Sequence, residues 1–373
     1  MPSEPAATRP VVRLLAAGAV CLVLLGLAVP VGLRATTAVT AARFLAEFLT
    51  EGQRPWLSSV TPAPSREPVT LAPPGRADFW RPGAPPPHRG LVLVHGLTPE
   101  GKDDPRLARA AGLLARAGLA VLVPDLPAMR SQRLRPDDAA VVAAAIARLA
   151  ADPRIHPDGL AVVAVSVGAA PALAAAGEAA VARHVRLVVA LGGYADAREL
   201  VRYFTTGHYA FGEVSRRVRH DPALAQAFVA ANLDLVRDPA DRAAVAAALA
   251  GRPLSPSAGR EARAVLAVLG NRDPARVDAL LAALPPETQA LLDALSPARH
   301  VRRVPGRLLL VHGRGDPAIP HTESLRLAAA ADSPRTRLVL VDLVAHVEGR
   351  TPAWRQAWEL LRLTGVAYEL LRG

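Results

Sequence analysis

The chain has 373 residues, 51% of them hydrophobic, too apolar for a disordered polypeptide and long enough for one large core carrying an insertion. Its formal net charge is +11, but aromatic residues make up only 4% and basic residues are nowhere stacked into a groove, so a solvated basic surface is expected and no nucleic-acid partner. The single cysteine, Cys21, excludes an intrachain disulfide.

After a short tail (1–13), residues 14–33 form an uncharged apolar run bounded by Arg13 and Arg34. As a helix the run would span about 30 Å, the thickness of a bilayer core. The length predicts a membrane-anchoring helix; the catalytic part is expected to be extracytoplasmic, although Arg9 and Arg13 on one side are balanced by Arg34 and Arg43 on the other and leave the orientation open. Pro30 and Gly32 keep open the alternative of a cleaved signal peptide and a secreted protein. Residues 34–66 read as a linker, with helical character around 41–49.

Between 62 and 87 prolines are dense, with short extended pieces at 69–71 and 78–80 suited to edge strands. A regular alternation follows. Buried-type strands are predicted at 91–94, 119–123, 160–165 and 185–191, and helices at 104–118, 136–149 and from 166 to about 175. Strands separated by helices imply a mostly parallel sheet covered on both faces. From 194 to 306 only helical periods appear, several opened by Asp-Pro pairs at 221–222, 238–239 and 273–274. Strands resume at 308–311 and 338–341, and a closing helix is expected at 354–371. The plan is a core of 67–193 and 307–373, interrupted by a helical cap at 194–306.

Three residues fall at strand exits in an order that carries chemistry. Ser166 lies in Ala164-Val165-Ser166-Val167-Gly168, between a buried strand and a helix. A nucleophile on such a turn needs small residues two places to either side; Gly168 satisfies this, and Ala164 replaces the usual first glycine. Read alone, Ser166 could also be a helix N-cap. Asp316 follows the strand at 308–311 and His346 the strand at 338–341. Asp342 is the rival acid, but it falls inside the predicted strand. His321 reads as a pocket or rim residue, and His95 and His312 as turn formers. No Cys/His spacing suits a metal and no Gly-rich loop suits a phosphate, so no metal or cofactor is expected.

On the His95-Gly96 turn, the elbow at Ser166, the 312–316 loop and His346, the chain from about 67 to 373 resembles the α/β-hydrolase superfamily, in particular its capped serine hydrolases. The resemblance implies Ser166 as nucleophile, His346 as base and then acid, and Asp316 as the group that orients the imidazole. It places the oxyanion on the backbone N–H of Val167 and of Leu97 or Thr98. Serine at the elbow argues against the relatives that use aspartate or cysteine there.

The expected reaction is hydrolysis of a small or lipid-like carboxylic ester. A peptidase resembling the prolyl-oligopeptidase group is the alternative, although Ala169 stands where those enzymes often carry glycine and no propeller-sized domain precedes the core. A catalytically silent, membrane-tethered scaffold is a third reading. Five of the chain's aromatic rings fall in a short stretch: Tyr194, Tyr203, Phe204, Tyr209 and Phe211. The first four are candidates to wall a substrate pocket, against the alternative that the rings simply glue the cap down.

Overall fold

A computed structural model of the chain describes residue 32 and residues 34–72, 75–219, 221–342 and 353–372. Its centre is an eight-stranded sheet. The strands are β1 (Ser65–Leu71), β2 (Gly75–Arg81), β3 (Arg89–Val94), β4 (Leu119–Pro124), β5 (Leu160–Val165) and β6 (Val185–Leu191). A hairpin in the insertion supplies β7 (His208–Phe211) and β8 (Val214–Arg217), and the main sheet ends with β9 (Arg307–Gly313) and β10 (Thr336–Val341). The order across the main sheet is β1-β2-β4-β3-β5-β6-β9-β10. β2 runs antiparallel to both of its neighbours, and the strands from β4 to β10 are parallel.

The period-2 rule explains why the central strands are apolar throughout. Leu91 and Leu93 of β3 enter the core on one face of the sheet, and Val92 and Val94 the core on the other. In β5, Ala161 and Val163 face one way and Leu160, Val162 and Ala164 the other. Both faces are covered, so every position must be apolar. The proline of β1, Pro68, is tolerated because β1 is an edge strand.

One face is covered by α1 (residues 34–49), α2 (Pro105–Arg116) and a long C-terminal helix. Asp104 caps α2 by accepting from the N–H of Arg106 (2.8 Å) and Leu107 (3.2 Å). After a single turn, α3 (Pro127–Arg130), the other face receives α4 (Asp138–Ala150) and α5 (Ala169–Ala176). The segment expected to be a linker differs from that reading: α1 begins earlier than the sequence suggested and lies on the core, with Ala41 wholly buried. The buried Glu47 carboxylate holds the following turn by accepting from the N–H of Leu57 (2.7 Å) and Ser58 (2.9 Å). The run at 14–33 lies outside the described residues, residue 32 excepted, and among the described residues no helix is long and apolar enough to cross a membrane.

The insertion contains α6 (Ala197–Thr206), α7 (Pro222–Ala231), α8 (Pro239–Leu249), α9 (Arg260–Gly270), α10 (Val277–Ala282) and α11 (Pro286–Ala294). Each expected Asp-Pro start is a real cap: Asp221, Asp238 and Asp273 accept from Ala223, Asp241 and Ala275. The third opens a 3-10 turn instead of an α-helix. The all-helical expectation fails at the β7–β8 hairpin. Its turn is Gly212-Glu213, with Gly212 at φ +57°, the Gly-first signal of a two-residue hairpin loop. The chain then returns to the sheet, and α12 (Thr322–Ala331) and α13 (Ala353–Arg372) complete the fold.

Candidate active site

Ser166 follows the last residue of β5 with φ +56°. A serine pays for that left-handed backbone with strain, and the turn lifts its side chain at the carboxyl edge of the sheet. The packing around the turn is as tight as backbone allows. A Cβ at position 168 would lie 2.3 Å from the His95 carbonyl oxygen, so only glycine fits. A Cβ on Gly96 would come within 3.2 Å of the Ser166 Cβ and 3.8 Å of its Oγ. These two glycines let the loop leaving β3 lie directly against the elbow, and Leu97 and Thr98 are the next residues of that loop. Ala164 is wholly buried in β5, its methyl group accommodated where glycine was expected.

His95 braces this contact. Its Nε2 accepts from the Leu126 N–H (3.1 Å), so its Nδ1 carries the proton and donates to the Gly96 carbonyl (2.7 Å). The ring is 1% exposed, and burial holds its pKa below the ordinary histidine value. The loop is fastened again where Thr98 donates its hydroxyl to Glu100 and accepts the Gly101 N–H. The N–H of Val167 lies in the first turn of a 3-10 helix, Ser166–Gly168, where no intrahelical acceptor exists.

Asp316 comes off the end of β9, two strands across from β5. Its Oδ1 accepts from the N–H of Ala318 (2.8 Å) and Ile319 (3.0 Å). Its Oδ2 points back toward the β6 exit, 3.3 Å from where a Cβ on Gly192 would be; Gly192 itself sits at φ +62°. His312 holds the loop from beneath. Its Nε2 donates to the Ile319 carbonyl (2.9 Å) and its Nδ1 accepts from Ser324 Oγ (2.6 Å), with Asp316 Oδ2 at 3.7 Å. Burial pushes the His312 pKa down, which keeps the ring in that neutral tautomer.

The structure therefore brings Ser166, Val167, Leu97, Thr98 and Asp316 to one edge of the sheet. His346 lies outside the described residues. Asp342 is not inside a strand as expected: β10 ends at Val341, and Asp342 is an exposed residue whose N–H donates to Glu359 (2.9 Å).

The aromatic residues divide. Tyr194 is wholly buried, and its hydroxyl donates to the Leu295 carbonyl (2.6 Å). Tyr203 is 2% exposed and donates to the Pro317 carbonyl (3.0 Å) on the acid loop, its pKa pushed up to about 12 by burial. Both rings act as pegs that fasten the cap. Phe204 packs edge-on against Tyr203. Tyr209 meets Tyr203 on one side and His321 on the other, with centroids 5.7 and 6.2 Å apart. Burial and the nearby Arg314 and Arg216 charges hold the His321 pKa down.

Two features were missed in the sequence. Glu323 is 2% exposed and accepts at 3.0 Å from the N–H of both Ala195 and Asp196, clamping the root of the cap to α12. Asp138 opens α4 with one carboxylate oxygen buried and unpartnered. It shares a small cavity with Val167, Tyr194 and Leu295, and burial raises its pKa to about 6. Neither has a sequence signal beyond a carboxylate near a helix start.

No family model and no curated protein matches the chain. Solved structures do. A 2,6-dihydroxy-pseudo-oxynicotine hydrolase aligns over 85% of this chain and 70% of its own, with 16% identity and a TM-score of 0.45. A puromycin-hydrolysing peptidase from Mycobacterium tuberculosis aligns over 83% of this chain with 19% identity and a TM-score of 0.47, but the match spans only 39% of the peptidase. An esterase from Pyrococcus furiosus aligns over 85% of this chain and 91% of its own, with 13% identity and a TM-score of 0.45. The strand order, the single antiparallel strand within the sheet and the strained serine after β5 describe an α/β-hydrolase-like fold.

Proposed function

We propose that the protein is a serine hydrolase that cleaves a carboxylic ester through an acyl-enzyme, with Ser166, Asp316 and His346 as its triad. The observation that carries this reading is the left-handed backbone of Ser166, a strain that a serine merely opening a helix has no reason to bear. Ser166 Oγ attacks the ester carbonyl as its proton passes to His346. The oxyanion is taken up by the N–H of Val167 and of Leu97 or Thr98. His346 then returns the proton to the departing alcohol, and water repeats the sequence to release the acid. Asp316, with Oδ1 tied to two N–H groups, presents its Oδ2 to orient the imidazole.

The test is covalent labelling of the purified protein by a fluorophosphonate, which loses fluoride to Ser166 Oγ. Wild-type protein should label once, at Ser166, and Ser166→Ala should lose both labelling and ester turnover while melting normally. Full labelling of the alanine variant would overturn the assignment. We also propose attachment to a membrane through 14–33, with the hydrolase body on the extracytoplasmic side. Solubility of the native protein with an N-terminus beyond residue 33 would refute the anchor.

A further inference from the structure

A cleft of about 420 Å³ opens in the cap where α6 ends, with Arg217, Arg219 and Arg272 along its wall and Phe204, Val218 and Pro222 beside them. Several other arginines of the cap are neutralised: Arg198 and Arg299 pair with Asp293, Arg202 with Glu199 and Asp278, Arg237 with Glu287, and Arg302 with Asp332. Among the described residues, none of the three cleft arginines has a carboxylate within ion-pair distance.

Two of them are held in place by neutral partners. Arg217 donates from Nε to the Thr206 carbonyl (3.2 Å) and from Nη2 to the Arg272 carbonyl (3.0 Å). Arg272 donates from Nη1 to the carbonyls of Thr205, Leu269 and Asn271. Capping the ends of α6 and α9 accounts for these bonds. It does not account for Arg219, which makes no hydrogen bond among the described residues. Nor does it explain why three like charges without a carboxylate partner line one cavity, where an anion would relieve their mutual repulsion.

We propose that this cleft is a binding site for a phosphate monoester, whose phosphate meets the three arginines while its carbon skeleton lies on Phe204, Val218 and Pro222. A phosphate carries nearly two negative charges and three acceptor oxygens, and guanidinium groups match it in geometry. A carboxylate offers only two oxygens to three cations. None of the cleft residues belongs to the elbow or the acid loop, so the proposal stands apart from the hydrolase chemistry.

The test is calorimetric titration of the full chain with phenyl phosphate and with inorganic phosphate at fixed ionic strength. Saturable binding is expected, tighter for phenyl phosphate. Arg219→Gln should weaken both by about tenfold, the loss of one charge-assisted contact, without changing the melting temperature. Arg272→Gln should weaken binding too, and its melting curve shows whether the cap still folds. Sedimentation with phosphatidylcholine vesicles, with and without phosphatidic acid, separates the sources. Retention on phosphatidic acid that requires Arg219 identifies a lipid headgroup, and soluble binding without such retention identifies a free ester. No saturable binding, or an Arg219→Gln variant that binds like wild type, would overturn the proposal.

Discussion

The sheet edge and the cap are built on opposite principles. At the edge, backbone touches backbone: the His95 carbonyl lies where any side chain at 168 would have to be, and the surrounding strands are buried on both faces. The cap has little core of its own. Neither α7 nor α11 buries a residue fully, and the satellite cluster around Val277, Leu281 and Leu284 is small. It is held instead at its root, where Tyr194 bonds Leu295, Ser296 accepts the Ala197 N–H and Glu323 takes two more. A site so arranged has a rigid floor that fixes Ser166 and a roof fastened by a few polar pegs, free to open locally at much lower cost.

That contrast can be broken from either side. Gly168→Ala should be the most damaging change, costing about 3 kcal/mol or more, because the obstructing atom is backbone and cannot rotate away. Chemical denaturation would measure it; a loss under 1 kcal/mol would mean that the loop and the elbow move independently. Asp138 lies between floor and roof, and its effect depends on pH. Its folded pKa of about 6 is above the ordinary aspartate value, so its contribution is fully present below about pH 4. It is lost as pH rises through 6, because the folded state then carries a buried carboxylate. Asp138→Asn should therefore stabilise the protein by up to about 3 kcal/mol at pH 7.5 and hardly at all at pH 3.5. A pH-independent difference would remove Asp138 from the account. Glu323→Ala should cost about 2 kcal/mol by stranding two backbone N–H groups. Its signature should be local: hydrogen exchange accelerates at 194–206 and stays unchanged in β3 and β5. Uniform acceleration would show that root and sheet open together.

Sequence reading captured the floor and left the pegs undecided. Unbroken apolar runs such as Leu160-Ala161-Val162-Val163-Ala164-Val165 admit one structure, and the serine after them declares a turn because Gly168 follows at the right distance. The hairpin at 208–217 was hidden because four-residue strands give too few repeats to separate period 2 from period 3.6. Tyr194 stood between pocket wall and cap fastener because an aromatic after a strand exit can serve either role until its hydroxyl's partner is known; that partner, Leu295, is 101 residues away in the chain. Glu323 was invisible for the same reason, since its acceptors' worth depends on N–H groups 127 and 128 residues earlier.

The burial of Ala41 on the sheet's covered face sets a leash length. Because α1 is helical from residue 34 and already part of the folded body at Ala41, only about two helical turns, roughly 10 Å, lie between residue 34 and that contact. An anchor at 14–33, as proposed, would therefore hold the folded body close to the bilayer. Under the proposed anchor, a substrate would have to come to the membrane surface, because those two turns would be all the chain has with which to reach away from it.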